Sequence, residues 1–258
     1  MARTPVFIGS GPATFAAPRN AIKAGCGRIG GETQMTAPSF APILEAARAR
    51  LGAPALEARL PKPRSAAELE AVPNDRYLSQ MSLRIFRAGL KHSLVDAKWP
   101  AFEEVFHRFE PHGVRAMSDE ALEAMLADRR LIRHWGKLKA VRDNAAAMIA
   151  VAEEHGSFGA WLADWPGTNI VELWESLARR FSQMGGNSGP TLLRMVGRDT
   201  FILTHSVTAA LKRWGAIDAP IKNRKDRAAV QSCFNAWAAE ASRPLCQLSL
   251  ILAASIED

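Results

Sequence analysis

Residues 184–215 read MGGNSGPTLLRMVGRDTFILTHSVTAALKRWG, and this stretch decides the fold class. Two glycines, Gly186 and Gly189, flank Asn187 and Ser188 just before a proline, which predicts a hairpin between two helices. A short apolar segment then leads to a second helix that ends at Gly215, since glycine is common just past a helix end. The stretch therefore predicts two helices around a glycine hairpin, followed by a third helix.

The hairpin has two interpretations. Glycine lets backbone amides approach a phosphate closely, and the N-terminus of the following helix adds a favourable dipole. A plain helix cap followed by a loop is the simpler explanation of the tetrapeptide Gly186–Gly189 taken alone, because a glycine past a helix end is common. The tetrapeptide alone leaves both interpretations open.

The rest of the chain is also patterned for helices, from Phe40 onward. Ser65–Glu68 has the spacing of a capping box, and Ser118 precedes an acidic helix start. Pro100 and Pro244 each stand where a helix would open, and residues 136–154 predict one long helix. Alternating strand patterns and Asn-Gly or Asp-Gly hairpins are missing from the sequence. The predicted fold class is all-α.

The first 38 residues differ from the remainder. They are rich in Gly, Pro, Ala and Thr and show no regular apolar period, which is typical of a disordered extension. The sequence therefore predicts an extension over 1–38 and a helical domain over 39–258.

Charge and cysteine usage limit the partner and the compartment. The net charge is +7 with a pI near 9.7, which favours nucleic acid as a partner before a membrane. Cys26, Cys233 and Cys246 form no CxxC pair, so reduced structural thiols are expected. No apolar run reaches the length of a membrane span, and the N-terminus lacks a secretory pattern. A cytoplasmic protein is expected.

Three blocks of sequence resemble known DNA repair enzymes. The order of the stretch 184–215 resembles the helix-hairpin-helix core of the DNA base-excision glycosylases, and this resemblance favours the phosphate-binding interpretation of the hairpin. Upstream, residues 106–111 read FHRFEP and residues 131–138 read LIRHWGKL. Both resemble blocks of the 3-methyladenine DNA glycosylase I family, and the resemblance extends over roughly residues 75–256.

The resemblance implies a two-lobed helical fold and a monofunctional enzyme that hydrolyses the N-glycosidic bond of alkylated purines of the 3-methyladenine type. Its implied partner is duplex DNA with a damaged base, bound by a monomer without a cofactor. The zinc site of that family uses Cys and His near both termini. This chain lacks the N-terminal Cys and Tyr-His-Asp segment and any His-x-x-x-Cys near its end, so no metal is expected. The implied site residues fall into three groups. They are Arg84, Gly89, Leu90, His92 and Trp135 for the base pocket; Arg133, Lys137, Gly186, Asn187, Ser188 and Gly189 for the DNA backbone; and Thr204, His205 and Ser206 for catalysis.

Three departures from the family pattern keep a second function open. Arg84 stands where the family has a glutamate that hydrogen-bonds the extruded base, and His92 stands where it has a stacking tryptophan. The carboxylate that most of the superfamily places before its last helix is absent, and Thr204 lies in that region. The alternative is therefore a catalytically impaired DNA-binding module that recognises damaged or distorted DNA.

The basic run from Arg129 to Arg142 is also open to two interpretations. It contains six Lys or Arg residues and no acid. Such a run is typical of a solvated helix face, and it also suits contacts to the DNA backbone through Arg133 and Lys137.

Overall fold

Side-chain caps fix several helix starts where the sequence predicts them. In the computed structural model, which describes residues 37–257, Ser65 Oγ accepts a hydrogen bond from the Glu68 amide at 3.3 Å, and the Glu68 carboxylate accepts one from the Ser65 amide at 2.8 Å. Ser118 Oγ accepts one from the Ala121 amide at 3.2 Å. Pro244 occupies the N-cap of the last helix. The capping box and both helix starts are confirmed.

Helices account for the regular structure within the described range, which contains no strand. The predicted all-α class is confirmed. The α-helices are α1 Ala41–Leu51, α2 Ala53–Arg59, α3 Ala66–Glu70, α4 Asn74–Arg87, α5 His92–Val105, α6 Pro111–Arg115, α7 Asp119–Ala124, α8 Trp135–His155, α9 Phe158–Asp164, α10 Ile170–Arg180, α11 Ser188–Met195, α12 His205–Arg213, α13 Arg224–Ala241 and α14 Leu245–Ala254. Short 3-10 turns lie at His107–Phe109 and Gly167–Asn169.

The prediction that Pro100 opens a helix is wrong. Helix α5 begins at His92 and continues through Pro100 to Val105. A proline inside a helix has no N–H for the carbonyl four residues earlier, here that of Asp96. Both Pro100 and Asp96 are exposed, so water can bond to the freed carbonyl and the helix continues.

The helices pack in two groups that share one core, in agreement with the expected two lobes. Helices α3 to α9 pack on one another, and α1 packs with α10 to α14 in the second group. Helix α11, which follows the hairpin, packs on α4 and joins the groups. Trp161 and Trp174 are buried, and Trp237 packs on Phe40 at 5.5 Å between ring centres. These tryptophans therefore form part of the core.

The FHRFEP block forms a left-handed turn. His107, Arg108 and Phe109 have φ angles of 51°, 57° and 59°, a region that residues with a side chain rarely occupy. The turn places the buried Phe109 ring on Trp99, stacked at 5.4 Å. Glu110 then caps α6 by accepting hydrogen bonds from two amides of its first turn. Aromatic stacking and the cap hold this unusual backbone in place.

The predicted extension lies almost entirely outside the described residues, which begin at Ala37. Pro38 is its last residue, and the Pro38 carbonyl accepts a hydrogen bond from the Trp237 indole at 2.6 Å. Among the described helices, none has the length and apolar character needed to cross a membrane.

Candidate functional site

The start of α8 is fastened to the end of α4. Lys137 Nζ donates a hydrogen bond to the Ala88 carbonyl at 2.8 Å and a longer one to the Phe86 carbonyl at 3.4 Å. The same ammonium group lies 5.9 Å from the centre of the Phe86 ring. Lys137 is half-buried, so its charge is directed at the α4 carbonyls and not at open solvent. The residue assigned to the DNA backbone by resemblance thus lies against the wall assigned to the base pocket.

Arg84 lies on α4 one turn before Ala88 and adds a second cation to this wall. Its Nε atom is buried and has no hydrogen-bond partner among the described residues. Burial lowers the pKa of Arg84, and burial followed by the charge of Arg84 lowers the pKa of Lys137. The two positive charges are therefore close enough to repel each other.

Large apolar side chains are exposed in the segments that adjoin these two cations in sequence. Leu90, Leu94 and Trp135 are the large apolar residues left exposed in the described part of the chain, with 38%, 49% and 36% of their surface accessible. Leu90 follows Gly89, whose φ of 77° turns the chain out of α4. His92 is exposed at the first position of α5. The five pocket residues named from the sequence thus lie at the end of α4, the turn after it, and the starts of α5 and α8.

An ion pair closes the turn that carries Leu90. Arg87, at the end of α4, donates to the Asp96 carboxylate on α5, with its nearest nitrogen at 2.7 Å. This pair bridges the two helices and limits the movement of the intervening loop. Exposed ion pairs contribute little stability, so its main effect here is geometric.

The hairpin is a tight turn in which two backbone amides already donate hydrogen bonds within the turn. The Ser188 amide donates to the Gly185 carbonyl and the Gly189 amide donates to the Met184 carbonyl, both at 3.1 Å. Gly186 has a φ of 57°, which glycine adopts without strain. The amides of Gly186 and Asn187 have no backbone partner among the described residues, so these two are the backbone donors of the hairpin that remain available to a ligand.

Gly189 is required by packing, not by its backbone angle. A Cβ atom there would lie 3.1 Å from the Met184 carbonyl oxygen and 3.5 Å from the Leu177 side chain. The close approach lets α11 start directly beneath the turn. This glycine serves the fold, whereas Gly186 leaves its amide accessible.

Two side chains outside the predicted motifs connect the hairpin to the pocket wall. Gln183 Nε2 donates to the Gly136 carbonyl at the start of α8, at 2.8 Å. Asn144, buried within α8, donates to the Ser182 carbonyl at 3.1 Å and accepts from the Ser182 amide at 2.6 Å. The sequence reasoning missed Gln183 and Asn144. A polar residue at a buried helical position was the available signal for Asn144, and the sequence carries none for Gln183.

Asn187 connects the hairpin to the start of α12. Its Nδ2 donates to the Leu203 carbonyl at 2.9 Å, immediately before Thr204. Thr204 is exposed, and its Oγ1 caps α12 by accepting from the Val207 amide at 3.2 Å. His205 is exposed beside it, and Ser206 is half-buried.

Asp199 is the acidic residue nearest in sequence before α12, and its carboxylate is hydrogen-bonded to the start of α14. Its two carboxylate oxygens accept hydrogen bonds from the amides of Leu245 and Cys246, at 2.9 and 2.8 Å. Asp199 thus caps the N-terminus of α14 and does not replace the missing carboxylate.

The basic run divides into neutralised and unpaired residues. Arg130 pairs with Glu104 and Asp128, and Arg142 pairs with Asp119. Arg129, Arg133 and Lys139 are exposed and make no ion pair with the described residues. The charge available to a polyanion is therefore smaller than the six basic residues suggest, and it includes Arg133.

The two described cysteines are buried thiols. Burial is the main cause that raises the pKa of both Cys233 and Cys246 to about 12. The described residues contain no cluster of three or more His, Cys, Asp or Glu side chains arranged to hold a metal ion.

Comparison with known proteins supports the resemblance found in the sequence. Residues 70–185 match the methyladenine glycosylase family model. DNA-3-methyladenine glycosylase 1 of Escherichia coli is 37% identical over 70 residues, which are 27% of this chain and 37% of that protein. DNA-3-methyladenine glycosylase of Haemophilus influenzae is 35% identical over 65 residues, which are 25% of this chain and 35% of the relative. The matched part of the chain thus spans little more than a third of either curated relative.

Among solved structures, one 3-methyladenine DNA glycosylase I aligns with a TM-score of 0.44 and 22% identity, over 55% of this chain and 86% of that one. The family match spans α4 to α10, which carry Arg84, Leu90 and Lys137, and it ends at Gly185, at the start of the hairpin. Residues 70–185 of this chain are therefore similar to the methyladenine glycosylase family.

Proposed function

We propose that this protein is a monofunctional DNA glycosylase that hydrolyses the N-glycosidic bond of alkylated purines, of the 3-methyladenine type, in duplex DNA. The observation that carries the proposal is the continuous set of hydrogen bonds from the pocket wall to α12. Gln183 joins α8 to the hairpin, and Asn187 joins the hairpin to the residue before Thr204. A phosphate on the hairpin amides and a base beside α4 would thus be held by one connected scaffold.

The chemistry suits a leaving group that is already activated. Alkylation places positive charge on the purine, which lowers the barrier to breaking its bond to the sugar, so extrusion and positioning supply most of what is needed. Thr204 accepts a hydrogen bond through its hydroxyl oxygen, which leaves the hydroxyl proton free to orient a water molecule. His205 and Ser206 flank it. No step requires a cofactor, and the protein acts as a cytoplasmic monomer.

Binding to DNA relies on the unpaired cations and the hairpin. Arg133 is exposed on the segment before α8, and the amides of Gly186 and Asn187 are free of backbone partners in the described structure. Ser188 and Gly189 shape the turn. Such contacts fix the register on the duplex and do not read the sequence.

The decisive experiment treats a methylated duplex with the purified full-length protein and measures released 3-methyladenine by chromatography. Release by the wild-type protein, reduced in Thr204→Val, supports hydrolysis at this site. Borohydride should trap no covalent DNA complex, because a monofunctional enzyme forms no Schiff base.

The alternative function is a DNA-binding module that recognises damaged or distorted DNA without cleaving it. Arg84 favours it, since an unpaired guanidinium in the pocket repels a cationic lesion. Preferential binding to a methylated or distorted duplex without base release would support the module and exclude the enzyme.

A further inference from the structure

The pocket wall holds two cations that no acid neutralises within the described structure. The guanidinium of Arg84 makes neither an ion pair nor a hydrogen bond there. Lys137 uses two ammonium protons on the carbonyls of Phe86 and Ala88 and keeps the third. Donors in this wall therefore exceed acceptors, and a ligand that supplies acceptors would complete them.

The exposed apolar side chains near these cations in sequence favour a ligand with flat apolar faces. Leu90, Leu94 and Trp135 are exposed in the turn after α4 and at the starts of α5 and α8, and they present apolar surface. Apolar side chains of this kind cover the faces of an extruded base, while polar groups bind its edge. The wall thus fits a flat ring with acceptors on one edge.

We infer that this pocket selects an extruded purine with two acceptors on its edge, as guanine has at O6 and N7, over adenine, which presents an amino donor at N6. The inference rests on the proposed function and names the base within it. Two N–H groups of an arginine guanidinium can donate to O6 and N7 of guanine at the same time. In adenine the N6 amino group is itself a donor, so it cannot accept a hydrogen bond from the guanidinium.

The test measures binding of the full-length protein to four duplexes at fixed salt. Each carries one nucleotide with a 2′-fluoro sugar, which resists hydrolysis, opposite an abasic analogue. The bases are guanine, hypoxanthine, 7-deazaguanine and adenine. Guanine and hypoxanthine, which keep both acceptors, should bind about tenfold more tightly than the other two, the lower range for one bidentate contact.

Variants assign the preference to Arg84. Arg84→Met removes the donors and should bind all four duplexes alike, while Arg84→Lys keeps the charge without the fork and should lose the discrimination against 7-deazaguanine. Arg133→Gln is the matched control, since it should weaken all four duplexes equally. Thermal unfolding verifies that each variant is folded.

The outcomes distinguish failure of the inferred base preference from failure of the proposed function. Equal binding of the four duplexes by the wild-type protein, or a preference for adenine, overturns the inference and leaves the proposed function standing. A guanine preference that persists in Arg84→Met overturns the role of Arg84. Failure to bind any of the duplexes overturns the proposed function itself.

Discussion

Arg84 is the residue on which the proposed choice of substrate depends. Its buried Nε lacks a partner among the described residues, and its charge lowers the pKa of the neighbouring Lys137. Desolvating a cation without compensation is unfavourable, so folding alone gives no reason for an arginine at this position. A ligand edge that accepts hydrogen bonds would supply the missing compensation.

Arg84→Glu should increase the release of 3-methyladenine from methylated DNA. The carboxylate would pair with Lys137 and accept a hydrogen bond from a cationic base, where the guanidinium repels it. We expect an increase of roughly tenfold, the value of one hydrogen bond to a charged group. Initial rates of base release by the two proteins measure it.

Arg84→Gln is the control for this gain, because it removes the repulsion without adding a negative charge. Its activity should lie between those of the wild-type protein and Arg84→Glu. Loss of activity in a folded Arg84→Glu variant would contradict the placement of residue 84 against the base.

At the scale of elements, helix starts were predictable and connections between helices were not. Ser65 and Ser118 carry local cap signals that act within one turn. Pro100 misled the prediction, because a proline inside a helix is tolerated on its exposed side. Asn144 and Gln183 bond to backbone groups 38 and 47 residues away, and no local pattern marks such contacts.

Asn144→Ala should destabilise the protein by about 2–3 kcal/mol, because it leaves the Ser182 amide and carbonyl without their partner in a part-buried site. Chemical denaturation measures the change in the free energy of unfolding. Asn144→Asp keeps the acceptor for the Ser182 amide and loses the donor, so it separates the two bonds. An Asn144→Ala variant as stable as the wild type would contradict the role of this side chain as a clamp.

Asp199→Ala should lower the free energy of unfolding by about 1–2 kcal/mol, the range for loss of a helix N-cap. The carboxylate accepts from the amides of Leu245 and Cys246 at the start of α14. Base release per folded molecule should stay unchanged, since Asp199 is not assigned to the chemistry. A large loss of activity with unchanged stability would show instead that Asp199 replaces the missing carboxylate.

At the scale of the whole molecule, the six basic residues between Arg129 and Arg142 overstate the positive charge available to DNA. Arg130 and Arg142 are paired with acids, whereas Arg133 is exposed and unpaired in the described structure. Lys137, which is predicted to contact the DNA backbone, donates a hydrogen bond to the Ala88 carbonyl at the end of α4. The basic run was visible in the sequence, but the acids that neutralise it come from other helices.

Arg133→Gln should weaken binding to any duplex and reduce the slope of log affinity against log salt by about 0.9, the contribution of one phosphate contact. Fluorescence anisotropy over a salt series measures the slope. Arg130→Gln is the matched control, because Arg130 is held by Glu104 and Asp128 and should change the slope less. A larger effect of Arg130→Gln would place the DNA on a different face.

The bonds made by Gln183 and Asn187 have a mechanical consequence for damage recognition. They join the start of α8, the hairpin and the segment before α12, so a change in their relative positions in order to fit straight, fully stacked DNA would break these bonds. In a complex of the kind proposed here, the duplex must do the bending and unstacking. Nucleotides with weakened pairing or stacking deform at the lowest energy. The first discrimination of damage would then come from the stiffness of the DNA, before any base touches Arg84.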